Sequence, residues 1–142
     1  MTAMRRLLLL AACAALLLAA CGDGDNTTSQ PADAGLEVLV KPTVAVPGGS
    51  VQAVVVNGSD ERFTYGAAYE LERQMGEDFI KVPLPKRPIP EIAYVAEPGE
   101  TGPPVKVMIP RNALPGQYRV VIQRDVPDVG DLSGEFEVKR RD

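Results

Sequence analysis

Apolar and polar positions divide the chain into three parts. Leu7 to Ala20 is an uninterrupted apolar run of fourteen residues, and residues 22–35 (GDGDNTTSQPADAG) contain no aromatic or branched apolar side chain. From Leu36 onward, short apolar runs recur every 8–15 residues, separated by Pro, Gly, Asn and Asp. No stretch of this third part shows a 3.6-residue periodicity with helix caps, so its pattern predicts an all-β sandwich or barrel.

The apolar alternation places about seven to eight strands in the third part. We predict them over residues 36–46 with a break at Pro42, and over 51–56, 63–73, 78–84, 92–96, 105–109, 117–124 and 133–139. Val51, Ala53 and Val55 can share one face of their strand. The outward positions that we interpret as solvated strand faces include Glu70, Glu72, Arg119 and Glu137. Each strand keeps one face for a core, as two packed antiparallel sheets require.

One turn adds detail to the predicted fold. Leu114-Pro115-Gly116-Gln117-Tyr118 places a Pro-Gly turn directly before a strand that opens with tyrosine. This is the setting of a tyrosine corner, in which the hydroxyl returns to upstream backbone. A plain core tyrosine is the alternative.

The N-terminal part has the features of a secretory signal peptide. Arg5 and Arg6 precede the apolar run, and fourteen residues are too few to cross a bilayer comfortably, which takes about 20. Its end, Leu18-Ala19-Ala20-Cys21, resembles the lipobox of bacterial lipoproteins. The resemblance implies that the Cys21 thiol receives diacylglycerol, that cleavage occurs just before it, and that the new amino terminus is acylated. Cys13 has the same local pattern but too short an apolar run before it.

The domain organisation follows from these parts. We predict a lipoprotein signal peptide over residues 1–20, a lipidated N-terminus and flexible tether over 21–35, and a β-sandwich domain over 36–142. The chain would then be anchored in the membrane by lipid on Cys21, facing the periplasm or the exterior. An ordinary signal peptide with Cys21 as a bystander and an uncleaved anchor helix are the alternatives.

Composition excludes several kinds of chemistry. The chain has no His, which removes the commonest general base and transition-metal ligand, and its only cysteines are Cys13 and Cys21. Without residues 1–20 there are 13 basic and 19 acidic residues, a net charge of −6, so nucleic-acid binding is not expected. We predict no enzymatic activity and no cofactor.

Two loops are candidates for function. Asp125, Asp128 and Asp131 could bind Ca²⁺, but their spacing departs from the DxDxDG calcium loop, so we predict ordinary loop acidity and no metal. The loop with Pro83, Pro85, Pro88 and Pro90 is the candidate contact loop, because its prolines lower the cost of ordering on binding. A passive rigid connection is the alternative.

An ordered set of short motifs resembles a family of bacterial immunoglobulin-like domains found in envelope lipoproteins and secreted proteins. The motifs lie within residues 36–140 and are NGSD at 57–60, FTYG at 63–66, YELE at 69–72, FIKVP at 79–83, EPGET at 97–101, LPGQYRV at 114–120 and GEFEV at 134–138. The resemblance implies an immunoglobulin-like antiparallel β-sandwich and assigns no catalytic residues. The family often has Trp where Phe79 stands, and the stretch from Pro83 to Pro90 is peculiar to this chain.

The sequence therefore predicts a membrane-anchored lipoprotein that displays a non-catalytic structural or protein-interaction module at the cell envelope. Two alternatives use the same domain differently: an envelope or secreted enzyme inhibitor with the proline loop as a wedge, or a ligand-binding domain. An enzyme that works with carboxylates alone, such as a glycosidase, would need a suitably spaced acidic pair in a cleft.

Overall fold

The computed structural model describes residues 35–142, which form an all-β fold built mainly from antiparallel strands. The strands are β1 (Leu36–Lys41), β2 (Val44–Ala45), β3 (Ser50–Asn57), β4 (Phe63–Gly66), β5 (Glu70–Met75), β6 (Asp78–Lys81), β7 (Ala93–Ala96), β8 (Val105–Met108), β9 (Gly116–Val126) and β10 (Gly130–Val138). Within these residues no helix could cross a membrane. The predicted signal peptide, lipidated Cys21 and nearly all of the tether lie outside the described residues.

The strands form three sheets around one core. A three-stranded sheet has the order β1-β3-β8, a five-stranded sheet has the order β2-β10-β9-β5-β6, and β4 pairs with β7. All pairings are antiparallel except β2 with β10. Alternate residues of each long strand face inward, because successive side chains of a strand point to opposite faces. The predicted inward face of β3 is confirmed, since Val51, Ala53 and Val55 are all buried.

The two larger sheets approach closely where β10 crosses β1. A Cβ atom at Gly134 would lie 2.7 Å from the carbonyl oxygen of Val38 and 2.8 Å from a methyl group of Val40. Only glycine fits at this approach of two backbones. β10 passes β1 at Gly134 and then pairs in parallel with β2, which follows β1 in the chain, so β1 and β10 run in the same direction. Gly35 and the β9–β10 turn therefore lie at the same end of the domain.

The predicted single strand over residues 63–73 is wrong. The structure has two strands there, β4 in the two-stranded sheet and β5 in the five-stranded sheet, separated by Ala67, Ala68 and Tyr69. Tyr69 leaves the ladder to bury its ring and accept a hydrogen bond from the backbone N–H of Met108 at 2.8 Å. The break predicted at Pro42 also separates strands of two sheets, because proline has no N–H for the ladder. The count is therefore ten strands rather than seven to eight.

The backbone hydrogen bond expected of the tyrosine in the LPGQY turn is present. Tyr118 is buried, and its hydroxyl donates to the carbonyl oxygen of Leu114 at 2.7 Å. Replacing Tyr118 with phenylalanine should lower the free energy of unfolding by about 1 kcal/mol, because the hydrogen bond to the Leu114 carbonyl is lost. Urea denaturation measures the change. Tyr94→Phe is the matched control and should have a smaller effect, and equal effects in both variants would contradict the assignment.

Candidate binding site

The proline-rich segment, residues 82–92, connects β6 at the edge of the five-stranded sheet to β7. The four residues predicted to form the contact loop, Pro83, Pro85, Pro88 and Pro90, are all exposed. Proline fixes its own φ near the extended region and restricts the preceding residue to extended conformations. The segment is accordingly an extended chain outside the sheets, with prolines facing solvent.

Apolar and aromatic contacts hold this segment against the domain. Val82 and Leu84 are half-buried against the core, and the N–H of Val82 donates to the carbonyl oxygen of Leu71 at 2.8 Å. The guanidinium of Arg87 lies 4.1 Å from the centroid of the Tyr69 ring, a cation–π contact. Because Tyr69 also binds Met108, this one side chain links the proline-rich segment to β8.

Three clefts follow the proline-rich segment. The sheet cleft, about 460 Å³, lies between Leu84 and the strands β5 and β9, next to Glu70 and Arg124. The smallest of the three, about 180 Å³, is lined in part by Pro88 and Pro90. The β8 cleft, about 340 Å³, lies between the segment and the end of β8, and is lined by Gly48, Tyr69, Leu84, Pro85, Arg87, Met108, Ile109, Pro110 and Arg111. The two larger volumes are in the range of small-ligand pockets.

The clefts differ in charge. The sheet cleft contains Glu70 beside Lys81 and Arg124, so its charges are already paired. The β8 cleft is lined by Arg87 and Arg111 and by no acidic residue. Among the described residues neither of these arginines forms a salt bridge, so both guanidinium groups can meet an external anion.

An ion-pair cluster covers the outer face of β5 and β9 next to the sheet cleft. The prediction that Glu72 is solvated is wrong, because it is only 5% exposed. Arg119 donates to Glu72 and lies over the ring of Phe79, 4.4 Å from its centroid. Arg124 donates to three carboxylates, those of Glu70, Glu72 and Asp131.

The cluster keeps its carboxylates ionised. Hydrogen bonds from Lys81 and then from Arg124 lower the pKa of Glu70 below its ordinary value. Burial alone would raise the pKa of Glu72, but hydrogen bonds from Arg124 and Arg119 outweigh it and lower the pKa. Arg124 also lowers the pKa of Asp131. All three carboxylates are therefore charged well below neutral pH.

These shifts predict acid sensitivity. A carboxylate whose pKa is lowered by folding stabilises the fold fully above its ordinary pKa, 4.5 for glutamate, and loses that contribution as pH falls through the lowered value. The free energy of unfolding, measured by urea denaturation, should therefore fall as the pH drops below about 5. Glu72→Gln should show a shallower dependence. An identical slope in the variant would contradict a role for Glu72.

The three loop aspartates do not converge. Asp131 is bonded to Arg124 at 2.6 Å, while Asp125 and Asp128 have positive φ angles of 51° and 62° at the β9–β10 turn. Within residues 35–142, no group of three or more acidic, Cys or His side chains is placed to hold a metal ion. The positive φ values fit the tolerance of aspartate for left-handed turn positions.

Sequence reasoning missed the Arg124 cluster and the Tyr69–Arg87 contact. A signal for the first was present: Glu70, Glu72, Arg119 and Arg124 carry opposite charges on strands that pair side by side, and such cross-strand pairs attract. No sequence signal indicated the Tyr69–Arg87 contact, because the two residues are far apart in the chain and meet only through the path of the proline-rich segment.

Comparison with known proteins gives matches among solved structures but none among families or curated proteins. No family model matches the chain, and no curated protein does. Among solved structures, the chain is similar to the Pseudomonas fluorescens alkylpurine DNA glycosylase AlkC bound to DNA containing an abasic site analog, with 16% identity and a TM-score of 0.39 over 75% of this chain and 31% of that chain. It is also similar to the sporulation control protein Spo0M from Bacillus subtilis, with 12% identity and a TM-score of 0.42 over 75% of this chain and 49% of that one. The chain thus spans less than half of either structure.

Proposed function

We propose that this protein is a membrane-anchored lipoprotein that displays a non-catalytic immunoglobulin-like domain, a protein-interaction module, at the bacterial cell envelope. The anchor is lipid on Cys21, and the lipobox pattern at Leu18-Ala19-Ala20-Cys21 supports it. The domain faces the periplasm or the exterior and contacts its partner through the proline-rich segment.

Two features support an immunoglobulin-like sandwich. Side chains from antiparallel sheets pack into one core, as in that fold. The hydrogen bond from Tyr118 to Leu114 has the arrangement of a tyrosine corner, a hallmark of such domains.

One observation carries the assignment of the contact surface. The exposed prolines at positions 83, 85, 88 and 90 form an extended segment that Tyr69 holds in place between clefts. A segment already held in its bound conformation loses little entropy on binding. Contact surfaces on loops supported by a rigid β scaffold are common in proteins.

Photocrosslinking in intact cells tests this function. A benzophenone amino acid is placed at position 88 in the segment, and at position 52, where Gln52 is exposed on β3, as the matched control. We expect a covalent adduct with a partner protein from position 88, several times more than from position 52. Cys21→Ala, which removes the anchor, should abolish the adduct. Equal adducts from both positions would refute the assigned surface.

The extended, exposed segment also favours a second candidate, an enzyme inhibitor that inserts this segment into an active site. Purified protein should then block a protease at a stoichiometric ratio. Replacing Pro88 and Pro90 with glycine should weaken the block by freeing the segment. A broad protease panel with no inhibition would eliminate this candidate.

A further inference from the structure

We propose that the β8 cleft binds an extended acidic segment of the partner protein, which places an apolar side chain in the cleft and a carboxylate against Arg87 and Arg111. This inference rests on the proposed function and specifies the chemistry of the partner.

The walls of the cleft suit an apolar side chain. Leu84 and Pro85 of the proline-rich segment form one wall, and Met108 and Pro110 form the other. Met108 is 44% exposed although it is a large apolar residue. Its flexible thioether can adjust to different partner side chains, as methionine does at many binding surfaces.

The charges at the cleft select an anion. Arg87 and Arg111 line it, no acidic residue does, and a guanidinium binds a carboxylate through two parallel hydrogen bonds. The contact with Tyr69 holds the Arg87 guanidinium in position before binding. The chain as a whole is acidic, with a net charge of −4, so the positive charge of this cleft is a local exception.

The position of the cleft favours a protein over a phospholipid headgroup. The tether joins the domain at Gly35, whose carbonyl oxygen accepts a hydrogen bond from the N–H of Gly58, directly after the end of β3. Gly48 and Arg111 lie at the opposite end of β3, a strand of eight residues that spans roughly 26 Å. The cleft therefore lies at the opposite end of β3 from Gly35, where the tether joins the domain.

The edge of β8 limits how the partner binds. The outward N–H of Met108 already donates to the Tyr69 hydroxyl, so an added strand cannot use this group. Next to Met108, recognition therefore depends on side chains, which include the two arginines of the cleft.

Fluorescence anisotropy on the full-length protein in a neutral detergent tests the inference. The probes are two pools of labelled eight-residue peptides with identical aliphatic and aromatic central positions, flanked by Asp and Glu in one pool and by Asn and Gln in the other. We expect the acidic pool to bind about tenfold more tightly than the amide pool. Arg111→Gln should remove most of that difference. Arg140→Gln, which removes a charge from the exposed C-terminal tail, should leave it unchanged.

Three results would overturn the inference: equal binding of both pools, the same loss in Arg111→Gln and Arg140→Gln, or binding of phosphatidylglycerol vesicles, but of neither pool, that depends on Arg111. Failure here is distinguishable from failure of the proposed function. If position 88 crosslinks to a partner while the pools bind equally, only the acidic specificity is wrong. If the acidic pool binds but position 88 gives no adduct, the cleft chemistry stands and the proposed role in the cell does not.

Discussion

Replacing Tyr69 with alanine should destabilise the domain by about 3 kcal/mol or more and release the proline-rich segment. The ring is buried at 8% exposure, supports the Arg87 guanidinium, and carries the hydroxyl that binds the N–H of Met108. Urea denaturation measures the loss of stability. Hydrogen exchange should show faster exchange of the segment's amides under conditions in which the core strands stay protected.

Tyr69→Phe separates the two roles of this side chain. It keeps the ring under Arg87 and removes only the acceptor of the Met108 N–H, so we expect a loss of about 1 kcal/mol. Crosslinking from position 88 should persist in this variant. If Tyr69→Ala cost no more than Tyr69→Phe, the ring would not be what holds the segment.

Replacing Arg124 with leucine should lower the free energy of unfolding by about 2–3 kcal/mol near neutral pH. The substitution leaves Glu70, Glu72 and Asp131 close together, and Glu72 is buried with Arg119 as its remaining cation. The expected loss is smaller than the roughly 3–5 kcal/mol for breaking a fully buried pair, because the Arg124 side chain is 37% exposed and partly screened by solvent. Urea denaturation at several pH values measures it.

Arg62→Leu is the matched control for Arg124→Leu. Its salt bridge with Glu97 joins side chains that are 65% and 45% exposed, so its loss should cost less than about 1 kcal/mol. The penalty at Arg124 should also shrink in acid, since protonation removes the repulsion among the three carboxylates. A penalty that is equal at both arginines, or independent of pH, would contradict the assigned role of the cluster.

The sequence alone was sufficient to predict the structural features that depend on local pattern. The inward face of β3 follows from alternation of small branched residues, and the Tyr118 hydrogen bond follows from the Pro-Gly turn before it. The split of residues 63–73 between two sheets could not be predicted, because the apolar pattern is nearly continuous through Ala67 and Ala68. The connection between the two strands includes Tyr69, whose contact with Met108 is long-range and leaves no local signal in the sequence.

The candidate site was predictable only in part. The prolines at 83, 85, 88 and 90 indicate an extended, stiff segment, and all four are exposed; their role as a contact loop stays a prediction. The clefts beside them depend on which strands the segment crosses. Arg87 and Arg111 are separated in sequence and lie in different loops, so no spacing pattern predicts that they line one cleft.

The proposed function depends first on the lipid anchor, because display at the envelope requires it. The most direct measurement is mass spectrometry of the N-terminal peptide of the mature protein purified from its native membrane. We predict a chain that begins at Cys21, carries diacylglycerol on the thiol and has an acylated amino terminus. A mature chain with unmodified Cys21, or one cleaved at another residue, would contradict the lipoprotein assignment.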